Sequence, residues 1–480
     1  MLPLLILAPL VLLIALNLPL GDVQRKLAWP LAMLLAVAQS VLVAVFPLQF
    51  RVQGEYWLSK TFYFPLQGVN LSLVLLLSTG LVMLAVLLTA KAMMPDVRRR
   101  FNFINVLLIA LAGMNGIVLV RDIFTLYVFM EIISISSFIL IAFGRDKLAL
   151  EGAFKYLVLS AVASVLMISA VALMMLLGGG TSFDAVRSAL ASESPFGITR
   201  IAIAAFLCGL FIKAGLVPFH GWLPAAYSAA PAPTSIFLAG IATKATGVYA
   251  LIRLVTDVFP PSQALGQVLM LIGAVSIVVG ALAAIGQKDM KRLLAYSSIS
   301  QIGYIVLGLG CGAMPGIAPS VAALAIWGAI FHLFNHAIFK SLLFVNSASL
   351  EQQLGTTELA RMGGLSKNMP VTNWTNVVAI LSTAGIPPLS GFWSKLLIVI
   401  ALWQAGFQTY AFLAVGFSVV TLAYLLLIQR RVFFGKLPEE LAEVSEASGG
   451  LVFASVFLAA LTLAVGVLMP LVLNSLQSLK

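Results

Sequence analysis

Apolar stretches of about twenty residues follow one another along almost the whole chain, from Leu2 to Leu473, and no polar block between them is long enough to separate folded domains. A helix needs about 20 apolar residues to cross the hydrocarbon of a bilayer. In hydrocarbon, every backbone N–H and C=O must be satisfied within the protein, which favours helices. Such a succession therefore predicts a bundle of spanning helices. The expected spans lie near 2–20, 28–47, 69–90, 103–119, 122–143, 154–177, 200–217, 232–256, 264–286, 298–313, 320–346, 372–403, 408–428 and 451–473, fourteen in all. The fold class is all-α and polytopic, a single membrane domain over residues 1–480. Composition agrees: 9% of the chain is charged, against about 25% in an average soluble domain. The first stretch has neither a basic leader nor a small-residue cleavage site, so it is expected to be a span and not a signal peptide.

The net charge of +11 suggests nucleic acid at first sight, but the Lys and Arg residues are scattered over short connectors and form no recognition motif. Membrane topology accounts for them better. Connectors after odd-numbered spans carry 17 of the 28, Arg98, Arg99, Arg100, Lys288, Lys291 and Arg292 among them. Those after even-numbered spans, with the C-terminus, carry 7, including Arg51, Lys60, Arg253 and Lys480. The positive-inside rule then predicts both termini on the non-cytoplasmic side, and a prokaryotic inner membrane is the expected location. Cys208 and Cys311 are far apart and belong to no metal or haem motif, so they are read as inert thiols. The "LGGGTS" stretch at 177–182 lacks the Lys-Ser/Thr of a phosphate loop and reads as a turn. No cofactor and no metal is expected in this chain.

Four basic residues remain, Lys213, Lys244, Lys340 and Lys395, and all fall inside spans. Among the acids, Glu131 is the one near the middle of a span and is the natural partner for one of the lysines. An ionised group at the bilayer centre costs about 2.5–3.5 kcal/mol. Five of them unpaired cost on the order of 12–18 kcal/mol, as much as the stability of a whole domain. They must be paired, neutral or hydrated. A lysine that gains and loses a neighbouring carboxylate can take up and release a proton, so the set reads as a relay for protons or cations. For Lys244 the competing reading is a structural ion pair; for Lys340, near the cytoplasmic end of its span, it is a side chain snorkelling to the interface. Span eleven places His332, His336 and Lys340 at i, i+4 and i+8, on one helical stripe. Two histidines so spaced can hold zinc, but no further ligand accompanies them, and a titrating relay is the preferred reading. His220, in "VPFHGWLP", is either a pathway entrance or a loop packing residue.

Lys213 precedes Pro218 in "KAGLVPFHGWLP", and Lys395 follows a double proline in "GIPPLSGFWSK". Proline breaks a helix, and freed backbone groups are tolerated at membrane depth where they are buried in protein or line a wet cavity. Ion sites of transporters commonly sit at such breaks, at matching places in two internal repeats. Spans seven and twelve are five apart, which predicts repeats of spans 4–8 (residues 101–256) and 9–13 (264–430). Helices one to three (1–100) precede them and a C-terminal helix (451–480) follows. An odd number of spans per repeat makes the second one inverted.

The motifs "FMEI" at Glu131, "KAGLVPFHGWLPAAYSAAPAPTS" at Lys213, "AGIATKATGVYALIR" at Lys244, "QKDMKRLLAYSSISQIGY", "HAIFKSLLF" at Lys340 and "GIPPLSGFWSK" at Lys395 resemble the antiporter-like membrane subunits of complex I, of Mrp-type cation/proton antiporters and of ion-pumping membrane hydrogenases. The resemblance runs over residues 100–430. It implies fourteen helices, two inverted five-helix repeats and a proton path through Glu131, Lys213, Lys244, His332, His336, Lys340 and Lys395, with Glu131 paired to Lys213 and the span-eleven groups linking Lys244 to Lys395. Some relatives have Glu where this chain has Lys395. A chain ending at Lys480 is expected to lack the long lateral helix of the largest members. The implied partners are other membrane subunits, homologous antiporter-like ones included, and a separate redox module. Proton movement against about 100 mV requires about 2.3 kcal/mol per charge, and with no redox or nucleotide motif here the driving force is expected from those partners. The expected role is thus a non-redox ion-translocating subunit of a larger translocase. A Mrp-type Na+/H+ antiporter subunit and a structural scaffold are the rival readings.

Overall fold

In the computed structural model of the chain, residues 2–19, 22–45, 66, 70–191 and 197–477 are described. Arg51, Lys60 and Lys480, counted above among the connector charges, lie outside them. Among the described residues the secondary structure is helical, with no strand beyond three isolated bridges. Two compact units divide the chain. The first, Met1–Pro261, holds α1 (Leu2–Leu16), α2 (Val23–Val45), α3 (Asn70–Met93), α4 (Val97–Leu119), α5 (Ile123–Ala142), α6 (Lys147–Gly178), a short α7 (Phe183–Ala191), α8 (Ile198–Ala214), α9 (Trp222–Ala229) and α10 (Ala232–Asp257). The second, Ser262–Lys480, holds α11 (Gln263–Ile285), α12 (Met290–Gly312), α13 (Pro319–Leu354), α14 (Pro370–Ala384), α15 (Ser390–Gln404), α16 (Gln408–Phe433) and α17 (Gly449–Gln477).

The few acids of the chain start several of these helices. Asp96, Asp122, Asp146 and Asp289 cap α4, α5, α6 and α12, each accepting a bond from a backbone N–H of the first turn. A carboxylate there satisfies an orphan donor and faces the positive end of the helix dipole. Eleven helices among those described, α2 to α6, α10 to α13, α16 and α17, are long and apolar enough to cross a membrane. The chain is an all-helical integral membrane protein. Expected spans seven and twelve are shorter broken pieces: α8 followed by α9, and α14 followed by α15.

In the first unit, α4 lies among α1, α2, α3 and α5, and α6 packs on α5, α8 and α9. Every residue of α10 from Ala232 to Val255 is buried, and its middle, Leu238–Ala242 and Lys244–Tyr249, winds as π-helix. In the second unit, α12 and α13 are central. α11 approaches α12 closely along Gly266, Gly273 and Gly280, where an added Cβ would meet backbone of Gly310, Gly303 and Leu307, and Ser300, the small-residue contact typical of membrane helices. Two connector charges of the sequence reading need correction. Arg253 and Lys291 are 2% and 3% exposed, inside α10 and α12: Arg253 falls within the expected span 232–256 itself, and α12 starts at Met290, well before the expected 298. Arg253 pairs with Asp257 at 3.2 Å, and Lys291 with Glu351 at 2.6 Å.

Both breaks are closed by a left-handed glycine, Gly215 at φ 67° and Gly385 at φ 86°. The N–H of Gly385 returns to the Leu381 and Ser382 carbonyls, and a Cβ there would stand 3.1 Å from Cδ of Lys395. Gly385→Ala is expected to destabilise by about 1–2 kcal/mol, the cost of a left-handed L-residue. Gly416→Ala, in the open interior of α16, is expected to gain about 0.5–1 kcal/mol. Thermal unfolding in detergent checks both signs.

Candidate functional site

In the first unit, α5 presents Glu131 and, three residues on, Ser134 on the same face, while α6 brings Ser160 and α8 ends with Lys213 in its last turn. The Lys213 ammonium lies 3.1 Å from Glu131 Oε1 and donates to Ser134 Oγ at 2.6 Å and Ser160 Oγ at 2.8 Å. Three donors meet three oxygens. The side chain of Lys213 is 3% exposed and that of Glu131 26%, so the cation is sealed and the acid faces outward in part. The position at the C-terminal end of α8 also sets the cation against the negative end of the helix dipole. The Trp222 indole donates to the Ile212 carbonyl at 2.9 Å, which also accepts the Gly215 N–H at the break.

A water-sized cavity of about 10 Å³ adjoins Lys213, lined also by Ser137, Tyr156, Ser160, Thr243 and Thr246. Thr243 and Thr246 flank Lys244 on α10, and Thr243 shares a 2.6 Å hydrogen bond with Tyr227. Lys244 is 1% exposed, and its ammonium donates to the Ala239 carbonyl in the π-helical stretch. Among the described residues no carboxylate lies within ion-pair distance of it. The structural ion pair that competed with a relay role at Lys244 is therefore not found there.

The second unit carries the other four groups. His332, His336 and Lys340 of α13 are all buried, and the two imidazoles stack nearly parallel with centroids 6.2 Å apart. Nδ1 of His332 is 2.9 Å from Ser394 Oγ of α15. Lys340 does not snorkel: it is fully buried and donates to the Leu294 carbonyl at 3.1 Å and to Ser297 Oγ at 2.8 Å, which also accepts from Tyr424. Lys395 donates to the Thr383 carbonyl at 2.9 Å, with the Ala384 carbonyl at 3.4 Å and Ser418 Oγ at 3.3 Å, and its ammonium lies 4.4 Å from the centre of the Tyr304 ring. The carbonyls freed where α14 stops thus receive the cation, and the ring face adds a cation–π contact. Among the described residues no group of three or more His, Cys, Asp or Glu is placed to hold a metal ion. His220 sits partly exposed in the break between α8 and α9.

Residues 120–421, which include all seven of these groups, match the transmembrane family described as NADH:quinone oxidoreductase/Mrp antiporter. The chain belongs to that family. It is 34% identical over 370 residues to a Na+/H+ antiporter subunit of Alkalihalophilus pseudofirmus, covering 77% of this chain and 73% of that one. It is 34% identical over 344 residues to an NADH-quinone oxidoreductase subunit of Desulforudis audaxviator, covering 71% and 67%. Its fold is similar to a chain in the structure of the membrane-bound sulfane sulfur reductase, an archaeal respiratory membrane complex, with a TM-score of 0.86 at 26% identity over 98% of this chain and 95% of that one.

Sequence reading of this antiporter-like subunit missed the hydroxyls. Ser134, Ser160, Ser297, Ser394 and Ser418 each touch one of the singled-out groups. Ser134 had a local signal, its i+3 spacing from Glu131; Ser160, Ser297 and Ser418 come from other helices and had none.

Breaking a buried pair from one side leaves an uncompensated charge, at about 3–5 kcal/mol. Glu131→Gln is therefore expected to lower the unfolding midpoint more than the double replacement Glu131→Gln with Lys213→Met. Ser160→Ala, which strips one acceptor, is expected to cost about 1–3 kcal/mol. A double-mutant cycle read by thermal unfolding in detergent checks the order.

Proposed function

We propose that the chain is a proton-translocating antiporter-like subunit of a multisubunit energy-converting membrane complex of the complex I or ion-pumping hydrogenase type. The observation that carries this reading is Lys244, an amine buried within helix, without a carboxylate among the described residues in ion-pair distance, and flanked by the hydroxyls of a water-sized cavity that also touches Lys213. Such a group is stable neutral or charged only through small shifts of its neighbours, which is what a relay station requires. In the proposed order a proton is taken up at Lys213, whose charge Glu131 supports. It passes by way of Lys244, His332, His336 and Lys340, and leaves from Lys395. Buried polar groups without a protein partner support a hydrated interior: both amide atoms of Gln301 on α12 and Oγ of Ser300 have none among the described residues, and such groups are normally met by ordered water.

The same proposal takes the helices as fourteen spans, with two inverted repeats of spans 4–8 and 9–13 and both termini away from the cytoplasm. The glycine-closed breaks beside Lys213 and Lys395, five spans apart, support the pairing. The partners proposed are other membrane subunits, homologous antiporter-like ones included, and a separate redox module that supplies the driving force. Because the Na+/H+ antiporter relative is 34% identical to this chain, membership of a Mrp-type antiporter complex is the second reading. The proton route within the chain is the same in both, and redox-enzyme or small-membrane-subunit genes beside this one distinguish them.

Lys244→Met separates transport from scaffolding. In membrane vesicles carrying the complex, the variant is expected to assemble at wild-type level on a native gel and to lose proton translocation read by a pH-sensitive dye. Full translocation in an assembled variant contradicts the relay, and lost assembly with undiminished translocation per complex that does assemble assigns the chain to the scaffold.

A further inference from the structure

At one end of the first unit, the loop from α5 to α6 meets the first turn of α4 around a cavity of about 480 Å³, lined by Asp96, Arg98, Arg99, Asn102, Phe143 and Arg145. Three guanidiniums and one carboxylate leave it with excess positive charge, and the carboxylate is engaged: Asp96 accepts the Arg98 backbone N–H at 3.0 Å as the cap of α4. None of the three arginines forms an ion pair with an acid among the described residues.

The side chains are held for use. Arg99 donates from Nη2 to the Phe143 carbonyl at 3.1 Å, and its guanidinium lies 5.7 Å from the centre of the Phe143 ring. Arg145 has φ 63°, the one non-glycine residue with positive φ among those described. L side chains disfavour that conformation, and glycine would adopt it freely, so the arginine is kept at a position where the backbone argues against it. Beyond the loop in the chain, α6 turns Leu150, Phe154, Leu157 and Val158 outward, 53%, 64%, 43% and 43% exposed, an apolar row at i, i+4, i+7 and i+8. A cationic cavity whose loop leads directly into a helix with an outward apolar face suits a phosphate ester carrying hydrocarbon chains.

We propose that this cavity binds the phosphate headgroup of an anionic phospholipid, with Arg98, Arg99 and Arg145 as its donors and the outward face of α6 against its acyl chains. The site is independent of the proton path and stands whether or not that path is correct.

The test uses the full chain in detergent, titrated with phosphatidylglycerol or phosphatidylcholine, with bound lipid counted by native mass spectrometry. The wild type retains phosphatidylglycerol in preference. Each arginine removed weakens it by roughly fivefold, so that R98Q/R99Q/R145Q loses on the order of a hundredfold, while the charge-matched R430Q/R431Q/K436Q binds as the wild type does. Arg145→Gly alone keeps the proposal testable if the triple variant does not fold. It relieves the left-handed backbone, so its melting temperature in phosphatidylcholine rises while the added stabilisation by phosphatidylglycerol shrinks. Equal retention of phosphatidylglycerol by the triple variant and the wild type overturns the site. An undiminished phosphatidylglycerol shift in Arg145→Gly does the same. Displacement of the lipid by millimolar inorganic phosphate that stabilises the chain equally well overturns the lipid as its occupant.

Discussion

Around the Lys213 ammonium stand three oxygens, from Glu131, Ser134 and Ser160, and each is supplied by a helix whose course is set by the need to deliver it. α5 must present positions 131 and 134 on one face, α6 must pass at Ser160, and α8 must stop where its last carbonyls and its lysine reach both. A lone cation at the bilayer centre costs about 2.5–3.5 kcal/mol, a penalty that these three oxygens work against. Packing in the first unit follows from that junction: α6 lies against α5, α8 and α9, and the Tyr156 ring meets Trp222 edge-on at 5.0 Å just past the break.

At Lys395 the second unit holds a buried cation with no carboxylate among the described residues in ion-pair distance. Lys395 is held by the carbonyls that α14 leaves open at Gly385, by Ser418 and by the ring face of Tyr304. A broken helix is thus both the cause of exposed backbone acceptors and the remedy for a buried cation. Lys340 uses a hydroxyl and a carbonyl of α12 in the same way. The contrast with Lys213 is chemical. An ion pair fixes a charge, whereas dipolar acceptors tolerate its coming and going at lower cost. In α10 the π-helical turns around Lys244 are the comparable irregularity, a distortion found often at functional positions.

Much of this was legible because lipid imposes one periodicity and one length. Apolar runs located the helices, and an isolated charge in such a run announces itself, which is why Glu131 and the four lysines could be named in advance. That the one mid-span acid would pair with one of the lysines was legible from the residues, and that the lysine is Lys213 was implied by the resemblance to the antiporter-like subunits. The serine acceptors were not legible, since Ser is common in membrane helices and its partners lie 53 or 79 residues away in the chain. Nor was the burial of Lys291: a hydropathy ruler starts the span near 298, while the helix already begins at Met290 and its charge finds Glu351. The double proline at Pro387 and Pro388 likewise marks the break, but says nothing of which carbonyls it turns toward Lys395.

Hydration is the physical claim on which the relay rests, because buried ionisable groups separated by dry side chains cannot exchange protons. An electron cryo-microscopy map of the chain within its complex, at a resolution that shows ordered water, measures it directly. The account predicts water within hydrogen-bonding distance of Lys213 in the hydroxyl-lined cavity and of the Gln301 amide beside its helix. Dry apolar packing around both groups would contradict it.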